Sequence, residues 1–392
     1  MKRMNLRVSI STLVIYMVCL LIINSPYVGQ RYTNAIRLAL EMVILFCMLF
    51  KYGLYKKNDS GCISISLYAL TLMVSTYLIY GFSSRFLNSL VTGLMYILCF
   101  CVFYYFTRKY SYNYVVLCVR KALTFLVLVV DLFAVVTLGK GLGGRGLGGV
   151  QIEEAVYLLA NKFTTSYLHM AVLALIGCGN NEKNKRTLNF KIIAFTVYSI
   201  LICILTDTTT GIVGCVCVAL LKLYCNLNKK IIKILKWPLT VISTFIGTNA
   251  VFLLSNFVLN NSKLTSFFLS RSHTGTILSG RVQMYQIAMD AIAKQPVWGY
   301  GINCDIVQKT LSFGNAQNGV LKILLDSGYV GLITFCLVLY FVFKNTTQDQ
   351  DNMAIQGCTA FIYSMLICSL VEVNLSAIFV LICALMNAAV KE

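Results

Sequence analysis

Apolar runs long enough to cross a bilayer as helix, about 20 residues each, recur along the whole chain. They predict twelve membrane-spanning helices, at roughly 8–23, 35–50, 62–80, 86–106, 120–138, 163–178, 188–205, 209–226, 238–259, 319–343, 353–371 and 373–390. The last two read as a tight hairpin around Glu372. The expected fold class is all-α: a polytopic integral membrane protein forming a single domain over 1–392. A membrane β-barrel does not fit, because barrel strands are short and alternate apolar with polar positions.

Polar interruptions are short except at 139–162, which is rich in glycine, and at 260–318. Loops beyond about 12–15 residues are usually functional or disordered. The longer loop has a regular pattern, which favours function. From Arg281 to Gln295, Val282, Tyr285, Ala288, Met289 and Ile292 fall on one helical face. Ser279 suits an N-cap, Pro296 ends the helix and WGYG turns the chain. The expected structure is an amphipathic helix lying on the membrane surface.

Composition agrees: 58% of residues are hydrophobic, 12% are charged and the mean hydropathy is +0.77. A net charge of +19 would suit a nucleic-acid binder, but its placement argues for a membrane. Twenty-one of the 33 lysines and arginines fall at loops and span ends on one side of the bundle. By the positive-inside rule both termini are then cytoplasmic, and both long loops face outward. The cations also suit anionic lipid headgroups. Most of the sixteen cysteines lie within apolar runs, where they act as small hydrophobes; only Cys304 falls clearly in the long loop. No spacing suggests zinc. The basic start MKRMNLR lacks a following cleavage site and reads as leading into a retained first span.

An outward site sees no ATP and no nucleotide-sugar. Arg281, in the first helical turn, opposes the helix dipole unless an anion sits there too. A phosphate or diphosphate matches the guanidinium fork, and a solvated arginine is the alternative reading. Arg271 and His273 lie just upstream. In the smaller loop, GLGG-R-GLGG sets Arg145 between glycines, whose amides can approach an anion; a plain linker reads equally well. Glu153 and Glu154 follow as candidate acids or bases, or as solvated carboxylates. Within the spans, Arg37 and Glu41 are spaced to pair, while Asp131, His169, Asp207 and Glu372 read first as packing groups. Asp349 and Asp351 form a DxD in a short loop on the cytoplasmic side, so no metal site is expected.

At these residues the sequence resembles the bacterial O-antigen and capsule polymerases (Wzy type) and their relatives, the O-antigen ligases. Arg281 opening a helix, PVWGYG at 296–301, Gln317-Asn318 and DSGYVGL at 326–332 match that family's pattern in order, with LTDTTTG and KFTTSYLHM matching more weakly. The resemblance implies a GT-C-like membrane fold and a metal-independent glycosyltransferase needing no cofactor. The implied donor and acceptor are polyprenyl-diphosphate-linked oligosaccharides at the outer face of the bacterial cytoplasmic membrane. Membrane lipids, a flippase and a chain-length regulator are the implied partners. Arg281, then Arg271 and Arg145, would stabilise the departing diphosphate. Glu153, Glu154, His273 and Asp305 are candidates for the proton, and Gln317, Asn318, Tyr300, Trp298 and Asp305 for holding substrate. One departure stands out: the family's histidine is Gln317 here, and glutamine takes no proton at neutral pH. That favours polymerase over ligase. A flippase or transporter for the same lipids is the rival class, but no internal repeat is evident.

Overall fold

The computed structural model describes residues 9–22, 30–52, 59–142, 144–145, 151–152, 155–178, 184–260, 281–307, 316–346 and 352–389. Over these the protein is a helical bundle. In chain order the helices are α1 (Ile10–Leu20), α2 (Gln30–Phe46, continuing as a π-turn over Cys47–Tyr52), α3 (Ser60–Tyr80), α4 (Ser84–Lys109), α5 (Tyr112–Val136), α6 (Lys162–Leu175), α7 (Lys185–Leu205), α8 (Thr209–Leu227), α9 (Lys229–Leu235), α10 (Pro238–Asn260), α11 (Arg281–Lys294), α12 (Gly319–Thr346), α13 (Met353–Cys368) and α14 (Ala377–Asn387). Each of the twelve expected spans overlaps one of them. Among the described residues, six segments are long and apolar enough to cross a membrane: Tyr32–Phe50, Ser60–Tyr80, Ser84–Lys109, Lys185–Leu205, Pro238–Ser255 and Gly319–Thr346. Helices α1, α8, α13 and α14 are apolar but shorter.

Burial separates lipid-facing helices from central ones. On α7, Phe190, Ile193, Val197, Leu201 and Ile204 are exposed along one stripe, while Leu188, Ile192, Ser199 and Cys203 are buried on the other. Apolar side chains on the outer stripe need an apolar solvent, which lipid supplies. Helices α13 and α14 are buried almost throughout. They pack against each other, α13 also against α8 and α6, and α14 against α4 and α12.

Buried polar groups fasten the helix ends. At the C-terminus of α6, Lys222 of α8 donates from Nζ to the carbonyls of Leu173 (3.1 Å), Ala174 (2.6 Å) and Ile176 (2.7 Å), and Arg120 donates to Cys178 O (2.6 Å). The last carbonyls of a helix have no partner within it, so a cation supplied by a neighbour caps them. Lys222, counted above with the loop charges, is thus a fully buried bundle residue. Asp59 caps α3 and accepts from Asn345 and Asn387, which joins α3, α12 and α14. Asn161 caps α6 through Thr164 N–H (2.9 Å).

Several expectations are corrected. Arg37 and Glu41 form no hydrogen bond: both Glu41 oxygens are buried without a hydrogen-bond partner, and Arg37 Nη2 points at Met95 Sδ (3.3 Å). The smaller loop is not wholly irregular, for it carries two antiparallel two-residue ladders, β1 (Gly144–Arg145) with β2 (Gln151–Ile152) and β3 (Val156–Tyr157) with β4 (Ala160–Asn161). Helix α11 does not simply lie on a surface; Met284, Tyr285, Ala288, Ala291 and Ile292 are buried, and the helix packs on α12 and α10. Met289, expected on the apolar face, is exposed. The short helix α9 was not anticipated. The sixteen cysteines are all free.

Candidate functional site

The site is organised by a break in α12. Gly328 has φ 61° and ψ −161°, so the helix stops at Ser327 and restarts at Tyr329. A broken helix strands backbone donors and acceptors, which in lipid must find partners inside the protein. The PVWGYG turn supplies them. Tyr300 N–H donates to Leu325 O (2.7 Å) and Gly301 N–H to Asp326 O (2.9 Å), while Tyr329 N–H donates to Pro296 O (2.8 Å) and Val330 N–H to Val297 O (3.3 Å). Helix α3 secures the joint: Ser75 Oγ lies 2.5 Å from Trp298 O and 2.6 Å from Asp326 O, and Ile302 N–H donates to Thr76 Oγ1 (3.0 Å).

This lock explains two glycines. Gly299 has φ 66°, and a Cβ there would lie 2.6 Å from Leu325 O. A Cβ on Gly328 would collide with Val297 O. Only glycine meets both the left-handed backbone and the close approach. PVWGYG and DSG, far apart in sequence, are therefore the two halves of one joint.

Charged groups gather beside it. On the first half of α12, Lys322 Nζ lies 2.5 Å from both carboxylate oxygens of Asp326. Past the turn, Asp305 accepts from Arg85 Nη2 (3.3 Å), and Arg85 also donates to Tyr80 Oη (2.5 Å) with its guanidinium 4.5 Å from that ring. The Arg85 and Asp305 side chains are 33% and 27% exposed, so this pair faces solvent. Between the two pairs, burial pushes the Cys304 thiol up to about 11, with Asp326 adding to the rise and Lys322 opposing it. Burial also raises Tyr300, with a smaller contribution from Cys304, and Tyr300 Oη donates to Ala291 O at the end of α11 (2.9 Å).

Of the expected substrate-binding residues, Trp298, Tyr300 and Asp305 belong to this turn, where Trp298 is 38% exposed and its carbonyl is held by α3. Asn318 is fully buried and caps α12: its Oδ1 accepts from Leu321 N–H (3.0 Å), and its Nδ2 donates to Asn249 Oδ1 (2.9 Å) and Leu370 O (3.1 Å). Gln317, just before it, holds φ 45°. Arg281 is the first residue of α11, which leads directly into the turn; its side chain lies outside what is described. Arg271, His273, Glu153 and Glu154, with Ser279, Asp349 and Asp351, lie outside the described residues, as does the side chain of Arg145 on β1. Among the described residues, no three His, Cys, Asp or Glu side chains come together as a metal site.

Arg85, Tyr80, Lys322, Ser75 and Thr76 were not singled out from the sequence. The signal for two of them was present: a cation in the first turn of a span, and a lysine four residues before Asp326 within an apolar run.

Comparison with known proteins places this joint inside a family segment. Residues 194–336 match the family model described as O-antigen ligase. The matched segment runs from the middle of α7 to the middle of α12 and so contains α11, the PVWGYG turn and the broken helix. Over this segment the chain is similar to the O-antigen ligase family, in keeping with the resemblance of its motifs. No curated protein and no solved structure gave a match.

Proposed function

We propose that the protein is a polysaccharide polymerase, joining polyprenyl-diphosphate-linked repeat units at the outer face of the bacterial cytoplasmic membrane. The observation that carries this reading is the position of Arg281. It opens α11, and α11 runs into a turn locked to α12 by four main-chain hydrogen bonds. A helix anchored in this way suits a residue that has to stabilise charge from a fixed position. The match at 194–336 supports the reaction class. The outward orientation, with both termini cytoplasmic, rests on the distribution of lysine and arginine.

In the reaction, the bond from the anomeric carbon to the diphosphate oxygen breaks as a bond to the acceptor hydroxyl oxygen forms. The diphosphate leaves with the electron pair, and the hydroxyl proton passes to a base. Arg281, with Arg271 and Arg145, offsets the charge growing on the leaving group. Arg85 adds a partly exposed guanidinium beside the turn. Glu153, Glu154, His273 and Asp305 are the groups available for the proton. Gln317, standing where the ligases place histidine, favours polymerisation over ligation.

Deleting the gene distinguishes the two. Loss of a polymerase leaves single repeat units on the lipid carrier and no long chains. Loss of a ligase leaves long chains that stay on the carrier, and that result would replace polymerase with ligase.

A further inference from the structure

Away from the locked turn, three titratable side chains meet, two of them buried in the bundle and the third, Tyr198, 37% exposed on α7. His169 of α6 is wholly buried and Asp131 of α5 is 4% exposed. His169 Nδ1 lies 2.9 Å from Thr165 O, and Nε2 lies 3.2 Å from Asp131 Oδ2. Tyr198 of α7 donates its hydroxyl hydrogen to the same Asp131 oxygen. The rings of Phe195 and Tyr198 lie 6.0 Å and 5.8 Å from the imidazole. The other Asp131 oxygen is buried without a hydrogen-bond partner.

Neither neutral tautomer of His169 satisfies both ring contacts. Thr165 O is a carbonyl and only accepts, so Nδ1 must carry hydrogen. With hydrogen on Nδ1 alone, Nε2 turns a lone pair onto a carboxylate oxygen. With hydrogen on Nε2 alone, Nδ1 turns a lone pair onto the carbonyl. Both contacts become hydrogen bonds only when a second hydrogen lies between Nε2 and Oδ2, on either atom. Solvation points the same way. A lone buried carboxylate is costly to desolvate, whereas the His–Asp pair with this hydrogen is neutral overall.

We propose that Asp131, His169 and Tyr198 form an intramembrane proton-binding site. It holds one proton on the Nε2–Oδ2 axis and fastens α5 to α6 and α7. The titratable groups facing it are Asp131 from α5 and Tyr198 and Cys203 from α7, with Cys215 of α8 behind Cys203. The position gives the proton work to do. Asp131 and His169 sit on the two helices that bracket the smaller loop, near its start at Thr137 and its end at Asn161. Tyr198 lies in the 194–336 segment, whereas Asp131 and His169 precede it. The bound proton thus joins the preceding helices to the family segment beneath that loop. The site stands whether or not the chain transfers glycans.

The chain has two histidines, which makes the test direct. In ¹⁵N-histidine-labelled protein in lipid nanodiscs, His273→Gln leaves His169 as the only labelled residue. At pH 7.5 the expected result is two ring N–H signals, or one N–H with a hydrogen-bonded second nitrogen and an infrared carboxylic-acid band that disappears in Asp131→Asn. A single neutral tautomer with one bare ring nitrogen and no such band would overturn the proposal. The ring-nitrogen signals need no variant at Asp131 to fold. Where wild type shows two ring N–H signals and Asp131→Asn folds, the variant should keep only the one on Nδ1; two signals persisting there also count against the site.

Discussion

Gly328 carries the joint at the centre of the site, and its geometry predicts its own test. Any side chain there must hold φ near 61° and meet the Val297 carbonyl. Gly328→Ala should cost about 2 kcal/mol or more from strain alone, read as a fall in the thermal midpoint of the detergent-solubilised protein. An unchanged midpoint would mean that the turn and the break are not locked together. Cys304 tests the surroundings. With its thiol pushed up to about 11 by burial, it is almost wholly protonated at pH 8, and the thiolate is the reacting form. Alkylation of Cys304 in the folded protein should be slow at pH 8 and rise about tenfold per pH unit until near 11. A plateau above pH 9 would show an ordinary exposed cysteine. Arg85 separates function from stability. Its partly exposed pair with Asp305 contributes at most about 1 kcal/mol. Arg85→Ala should therefore keep a near-native thermal midpoint while shortening the polysaccharide; unaltered chain length would remove Arg85 from the site.

At the scale of elements, α6 and α12 depend on neighbours for groups they cannot satisfy themselves. Lys222 caps three carbonyls at the end of α6. Lys222→Met should destabilise the bundle by about 3 kcal/mol or more, because it leaves buried acceptors without partners. Comparing denaturation of the two proteins in the same detergent tests this, and equal stability would contradict the capping role. What could be read in the sequence at this scale follows from range. Spans, the helix opening at Arg281 and the stop at Pro296 depend on adjacent residues and were legible. The α12 break was not, because DSG reads as an ordinary stretch within an apolar run until 296–301 and Ser75 are brought against it. Arg37 and Glu41 show the same limit in reverse: helical spacing permits a hydrogen-bonded pair, yet the structure forms no hydrogen bond between them.

For the whole molecule, the all-α membrane architecture was legible because apolar length is a property of composition that needs no partner. The interior was less so. Lys222 looked like one of many loop cations, Asn318 like a ligand group rather than a buried cap, and Asp131 and His169 like separate polar residues. Each acquires its role only through a helix distant in sequence. The resulting picture is a bundle of lipid-facing helices around α13 and α14, with the segment that matches the O-antigen ligase model building a hydrogen-bonded joint between α11 and α12. The central proposal is that Arg281, the first residue of the helix leading into this joint, meets the departing lipid diphosphate. It is tested most directly by the polysaccharide ladder of cells whose only copy of the gene carries Arg281→Ala or Arg281→Lys, with membrane levels of the protein matched to wild type. Both variants should give no ladder while single repeat units accumulate on the lipid carrier, since lysine lacks the bidentate fork. A ladder of normal length from Arg281→Ala would contradict the account.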